Sequence, residues 1–390
     1  MEWDNKMKTN TPKLRFKEFT DDWQEKKLGD ILSIGNGRDY KHLKPGNVPV
    51  YGTGGLMLYV NGHLYDGKSI CIGRKGTIDK PQFLDGKFWT VDTLFYTHKY
   101  KGALPEFLYS IFQKINWQKY NEASGVPSLS KTTIERIKVA VPKEKEQSKI
   151  ASFLTVVDEK IQKLEEKKKG FDKYKKGVMQ AIFSQKIRFK KSDGSNYSDW
   201  EEKKLGDVFN HVGGTSLEDR VIAEGTHKFI SIGNYSTDGK YIDNKQRINL
   251  SPKTILKIPS KNDLLMVLND KTSSGDLIGS TILIDADSTY VYNQRTERLI
   301  CCSSILPKFA WLYLNSIQFR KKIFKISQGG TQIYVNYPAV EKLKFALPSI
   351  EEQEKIAEFL TALDNKVDLI NKELEQAKLF KKSLLQQMFL

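Results

Sequence analysis

The chain has 390 residues, enough for two or more domains. It carries 63 Lys and Arg against 47 Asp and Glu, a net charge of +16. That surplus favours a polyanionic partner, nucleic acid first and an anionic membrane surface second. No apolar run nears the roughly 18 residues of a membrane span, and the first 13 residues lack the apolar core of a signal peptide. The three cysteines, Cys71, Cys301 and Cys302, show no metal-ligand spacing and fit a reducing, cytoplasmic setting.

In chain order, residues 12–141 read as a first α/β globule. Short apolar or alternating runs at Val48–Tyr51, Ser69–Ile72 and Phe88–Val91 predict strands, broken by Gly, Asn and Asp. Leu104-Pro105 opens a predicted helix near 105–120, since proline is favoured at a helix start. After Pro142, apolar positions at Ile150, Leu154, Val157, Ile161 and Leu164 step by threes and fours. They predict a long helix over 146–184, within a spacer segment 142–186. Residues 187–347 read as a second globule, with strands at Phe229–Ile232, Leu264–Leu268 and Thr281–Ile284 and a helix near 307–323 behind Leu306-Pro307. The second spacer, 348–390, holds a matching helix over 352–390, with apolar positions at Ile356, Leu360, Leu363, Val367, Ile370 and Leu374.

The two halves repeat. Trp23-Gln-Glu-Lys-Lys-Leu-Gly-Asp30 returns as Trp200-Glu-Glu-Lys-Lys-Leu-Gly-Asp207, an offset of 177. Glu146-Gln147, Lys149-Ile150-Ala151 and Phe153-Leu154-Thr155 return at an offset of 206, as Glu352-Gln353, Lys355-Ile356-Ala357 and Phe359-Leu360-Thr361. The ends of each half are shared and the middles differ. A period this long excludes a solenoid. It predicts one framework carrying two unlike surfaces. Each helix, about 58 Å long at ~1.5 Å per residue, has one apolar stripe and outruns its own globule. Two such helices predict an antiparallel coiled coil with a globule at each end, a pseudo-twofold arrangement.

These repeated marks, with Gly125…Leu129-Ser130-Lys131 before the first helix and Gly330-Thr331-Gln332 in the same place in the second half, resemble the specificity subunit of type I restriction–modification systems. The resemblance covers essentially the whole chain. It implies two target-recognition domains alternating with two spacer helices, each domain reading one half of a split, asymmetric site on double-stranded DNA. Two methyltransferase subunits would dock on the helices and bring S-adenosylmethionine. The resemblance leaves room for two motor-nuclease subunits, with ATP and Mg on those partners and no cofactor or active site in this chain.

Base reading needs cations and amides on exposed loops, with small polar groups for phosphates. The candidates in the first globule are Arg38, Lys41, Arg74, Lys75, Ser128, Ser130 and Lys131. In the second they are Lys271, Thr272, Gln294, Arg295, Thr331 and Gln332. Gly62-His-Leu-Tyr-Asp-Gly-Lys-Ser69 spells a P-loop, but Ser69 opens a predicted strand where a phosphate loop needs a helix. Asn336-Tyr-Pro-Ala339 fails as a methyltransferase motif. The five histidines show no metal-ligand pairing. An enzyme with its own nucleotide-dependent or methyltransferase site stays open as the alternative, as does a coiled-coil scaffold with incidental charge.

Overall fold

The computed structural model describes residues 11–390; the expected absence of a leader falls largely on residues outside that range. The chain forms two compact units, one of residues 11–167 with 370–390 and one of residues 168–369. This division cuts across the four segments expected from sequence, because each long helix contributes to both units. Those helices are Glu144–Phe183 and Ile350–Met388, 40 and 39 residues.

In the first unit, strand Gln24–Lys27 pairs antiparallel with Lys138–Val141. A four-stranded sheet runs in the order Ser33–Asn36, Leu94–His98, Ser69–Gly73, Gln82–Leu84. A second sheet holds Gly55–Val60, Pro45–Gly52, Lys87–Thr90 and Tyr65–Asp66, with Val50 beside Trp89 in its parallel pair. The core gathers Trp23, Leu28, Ile70, Phe107 and Phe112 with Ile150 and Leu154 of the first long helix and Leu384 and Phe389 from the chain's end.

The second unit repeats the plan. Glu201–Lys204 pairs with Lys344–Leu347. Its four-stranded sheet runs Phe209–Gly213, Thr296–Cys301, Leu264–Val267, Thr281–Leu283. Strand His227–Ile230 lies between Arg247–Ile248 and, in parallel, Tyr290–Tyr292. The helix expected near 307–323 is two helices, Pro307–Leu314 and Ile317–Ile326. Asn315 ends the first by bonding both backbone groups of Thr281 (3.0 and 2.8 Å), and Ser316 caps the second through Phe319 N. The helix expected over 105–120 likewise stops at Lys114, followed by a 3-10 turn at Trp117–Tyr120.

The repeated sequence marks are joints between globule and long helix. Trp23 Nε1 donates to Glu146, whose carboxylate also takes Arg15 at 2.7 and 2.8 Å. Trp200 and Arg188 hold Glu352 in the same way (2.9, 3.2 and 2.7 Å). Gln147 accepts from Leu104 N and donates to Pro142 O, both at 2.8 Å. Gln353 does this with Leu306 N and Pro348 O, at 2.8 and 2.9 Å. The leucine of each Lys-Leu-Gly-Asp is buried, and the aspartate accepts from the backbone N of Lys27 or Lys204. A buried carboxylate needs such partners, so these residue types recur together.

Within each unit the long helices run antiparallel. In the first, Lys381 pairs with Asp158 at 2.5 Å and Lys378 with Glu165 at 2.6 Å, so partner numbers fall as positions rise. In the second, Lys175 pairs with Asp364, and the Lys366 ammonium sits 5.2 Å from the centre of the Phe171 ring. The apolar stripe faces inward at Ile150, Leu154, Val157 and Leu164, and at Ile356, Leu360, Ile370 and Leu374. Among the described residues no helix is long and apolar enough to cross a membrane.

Candidate nucleic-acid interface

Segment 90–93 organises the loops of the first unit. Thr90 O accepts from Arg38 N and Thr93 O from Arg74 N, each at 2.8 Å. The next turn zips onto residues 127–129: Lys75 bridges Ser128, Gly76 N donates to Pro127 O, and Leu129 N to Arg74 O. Gly73 is required there, because a Cβ would lie 2.1 Å from Thr77 O. Arg38, Arg74, Lys75, Ser128, Ser130 and Lys131 therefore share one connected set of loops, with Lys41 in the turn beyond Arg38. Arg38, Lys41, Arg74 and Lys75 are exposed, and none is in a salt bridge among the described residues. The Arg74 guanidinium is 6.0 Å from the centre of the Phe95 ring, within cation–π reach, on a residue that is exposed. Lys131 lies 3.6 Å from Glu135. The Ser130 hydroxyl is engaged internally, capping the helix Lys131–Arg136 through Thr133 N at 3.1 Å and donating to Glu122 at 2.8 Å.

The second unit builds the same set of loops from other residues. Leu268 N donates to Arg295 O and Val335 N to Leu268 O, both at 2.9 Å, and Asn269 pairs with Tyr334. Register thus puts Leu268 and Asn269 where the first unit has Arg74 and Lys75, Arg295 where it has Thr93, and Tyr334 where it has Ser128. Gln294 and Arg295 lie in the turn above this pairing. Lys271 and Thr272 follow strand Asn269–Asp270, while Thr331 and Gln332 precede its partner Ile333–Tyr334, so the antiparallel ribbon brings the four to one end. Lys271, Thr331 and Gln332 are exposed. Thr272 is bound to its own loop, its N and hydroxyl both donating to Asp270 at 2.9 Å. Of the candidates expected from sequence, Lys131 begins a helix and the others lie in turns and loops.

Sequence reasoning missed Asn269 and Tyr334. It also missed the cluster behind them, where His211 Nδ1 lies 2.7 Å from Glu297 and the His211 ring centre 4.1 Å from that of Tyr337. Burial pushes the Glu297 carboxyl above the ordinary range, outweighing the pull of His211. The side-chain oxygens of Asn269 and Tyr337 and one terminal nitrogen of Arg295 are buried without a partner among the described residues. Linear matching could not find these positions. The offset between halves is 177 at Gly37 and Gly214, 194 at Lys75 and Asn269, 202 at Thr93 and Arg295, and 206 at Ser128 and Tyr334. Only strand pairing carries the register across those insertions.

The P-loop spelling leads into a strand and not a helix, as expected. Ser69 begins strand Ser69–Gly73 and bonds to Thr97 O at 2.7 Å, and Lys68 pairs with Glu106 at 2.5 Å. Among the described residues no group of three or more His, Cys, Asp or Glu is arranged to hold a metal.

Residues 20–170 and 197–379 each match the family profile described as type I restriction modification DNA specificity domain. The chain belongs to that family. The two matches coincide with the internal repeat, each spanning one Trp-x-x-x-Lys-Leu-Gly-Asp segment and the following loops. The type I restriction enzyme MjaVIII specificity subunit of Methanocaldococcus jannaschii is 30% identical over 340 residues, 83% of this chain and 76% of that one. A putative specificity subunit, S.HindORF215P of Haemophilus influenzae, is 21% identical over 85% of this chain and 84% of its own. The fold is that of solved specificity subunits. The S subunit from M. genitalium aligns with a TM-score of 0.64 at 16% identity, over 97% of this chain and 99% of that one. A chain from a structural study of complex assembly and conformational transition in a type I system aligns at 0.56 and 14% identity, over 94% and 96%. The protein is thus a DNA specificity subunit of the type I restriction–modification class.

Proposed function

We propose that this specificity subunit reads double-stranded DNA through two unlike loop sets and performs no chemistry itself. The first unit reads one half of a split target with Arg38, Lys41, Arg74, Lys75, Ser128, Ser130 and Lys131. The second reads the other half with Lys271, Thr272, Gln294, Arg295, Thr331 and Gln332, joined by Asn269 and Tyr334. The two long helices set the spacing and dock two methyltransferase subunits, which bring S-adenosylmethionine. Two motor-nuclease subunits complete the assembly, with ATP and Mg on those partners.

One observation carries this reading. The strand register that aligns the two units puts Arg74-Lys75 of one against Leu268-Asn269 of the other. A common frame with exchanged side chains suits two different half-sites, and hence a target without palindromic symmetry. The net charge of +16 supports a phosphate-dominated, salt-dependent affinity. Expression with a methyltransferase subunit, followed by mapping of the modified bases, tests it. The expected motif is bipartite, and replacing the loops of one unit changes one half alone. An undivided motif, or methyl transfer or ATP turnover by the purified chain alone, overturns it.

A further inference from the structure

Beside the cationic loops of the first unit stands an apolar tip that the reading above does not use. Strands Pro45–Gly52 and Gly55–Val60 meet in a two-residue turn at Thr53-Gly54. The base of the hairpin is anchored, with Val50, Val60 and Trp89 buried and Leu58 packed against them. Its tip is not. Leu56, Met57 and Tyr59 are 50%, 54% and 52% exposed, and a Cβ at Gly54 or Gly55 would meet nothing within 4 Å. Scattered exposed apolar residues mean little, but three within four positions of one turn are a surface feature.

The tip is tied to the proposed reading loops. Gln82 Nε2 donates to Gly52 O at 2.8 Å, and Val91 N to Tyr51 O at 3.0 Å, next to Thr90, which holds Arg38. A Cβ on Gly76 would lie 3.7 Å from the Thr53 hydroxyl, so the turn abuts the Arg74-Lys75 loop. Cations flanking an exposed apolar point match a duplex, whose phosphates take the cations and whose base stack takes the apolar groups.

We propose that Leu56 and Met57 form a wedge that enters the DNA beside the half-site of the first unit and unstacks one base step. Unstacking costs a few kcal/mol per step. That cost depends on the step, so the wedge adds preference for a flexible step at a position no hydrogen bond reads. This inference rests on the first unit reading DNA.

The test uses the subunit assembled with its methyltransferase partner, on a duplex carrying the mapped motif with 2-aminopurine at successive steps. Apart from the bases that the methyltransferase flips out, the wild-type complex raises fluorescence at one further step. The double variant Leu56→Ser, Met57→Ser lowers that rise about fivefold or more, weakens binding about tenfold and loses the preference at that step, while the bases read by hydrogen bonds stay required. A wild-type complex that raises no step besides the flipped bases, or a double variant with unchanged fluorescence and affinity, overturns the wedge. So does a double variant that no longer assembles with the methyltransferase subunit, because the tip is then a protein interface. A wild-type complex that does not retain the duplex at all overturns the wedge and the DNA reading together.

Discussion

Glu146 takes both prongs of the Arg15 guanidinium, at 2.7 and 2.8 Å, while almost wholly buried at the start of the first long helix. The pair ties the segment before Trp23 to the helix. Breaking one partner of a buried pair leaves the other charge uncompensated, at about 3–5 kcal/mol. Glu146→Ala should therefore lower stability by about that amount in urea unfolding. A loss below roughly 1 kcal/mol, the range of an exposed pair, would mean the joint is not made.

Gly37 and Gly214 occupy matching places in the two units, and a Cβ at either would lie 1.8 Å from a backbone carbonyl, of Val91 or Asn293. Backbone cannot yield as a side-chain tip can. Ala at either position should cost at least the ~1–3 kcal/mol typical of overpacking, read from thermal or urea midpoints. The proposed role of the loops adds that each substitution weakens recognition of its own half-site first.

Arg74 is exposed on the loop that Thr93 and Leu129 hold. Arg74→Ala should cost about 1–3 kcal/mol in binding and relax one position in one half of the motif, if its fork reads a guanine. Equal weakening on every sequence, with a salt slope reduced by about one, would make it a phosphate contact.

Glu297 gives a pH signature. Its raised pKa means that the folded state keeps a proton the unfolded chain has lost. Stability should then fall as pH climbs from the ordinary carboxylate range through the raised value. Glu297→Gln keeps an oxygen for His211 and removes the titration. The stability gap between variant and wild type should shift in favour of the variant as pH rises. Parallel curves across that range would refute the assignment.

Seven residues inserted at matched positions in both long helices add about 10 Å, or roughly three base pairs. The gap in the modified motif should widen by about that much while both half-sites keep their sequence. An unchanged gap would remove the helices from their proposed role in spacing.

The sequence determined the repeat, the two long helices and the family, because those rest on local patterns. A three-to-four apolar period, a proline before a helix and a Trp paired with a Glu-Gln helix start can be read along the chain. It also named Arg38, Lys41, Arg74, Lys75 and Lys271, all exposed in their loops, since Arg74-Lys75 between glycines needs no distant information. Tertiary structure decided which loops belong together. Asn269 and Tyr334 became visible only when strand pairing carried the register across insertions that shift the offset from 177 to 206. The break at Asn315 likewise depends on Thr281, a strand away, bonding its amide. Hydrogen bonds between distant segments are fixed by the sheet, and no local preference of the residues encodes them.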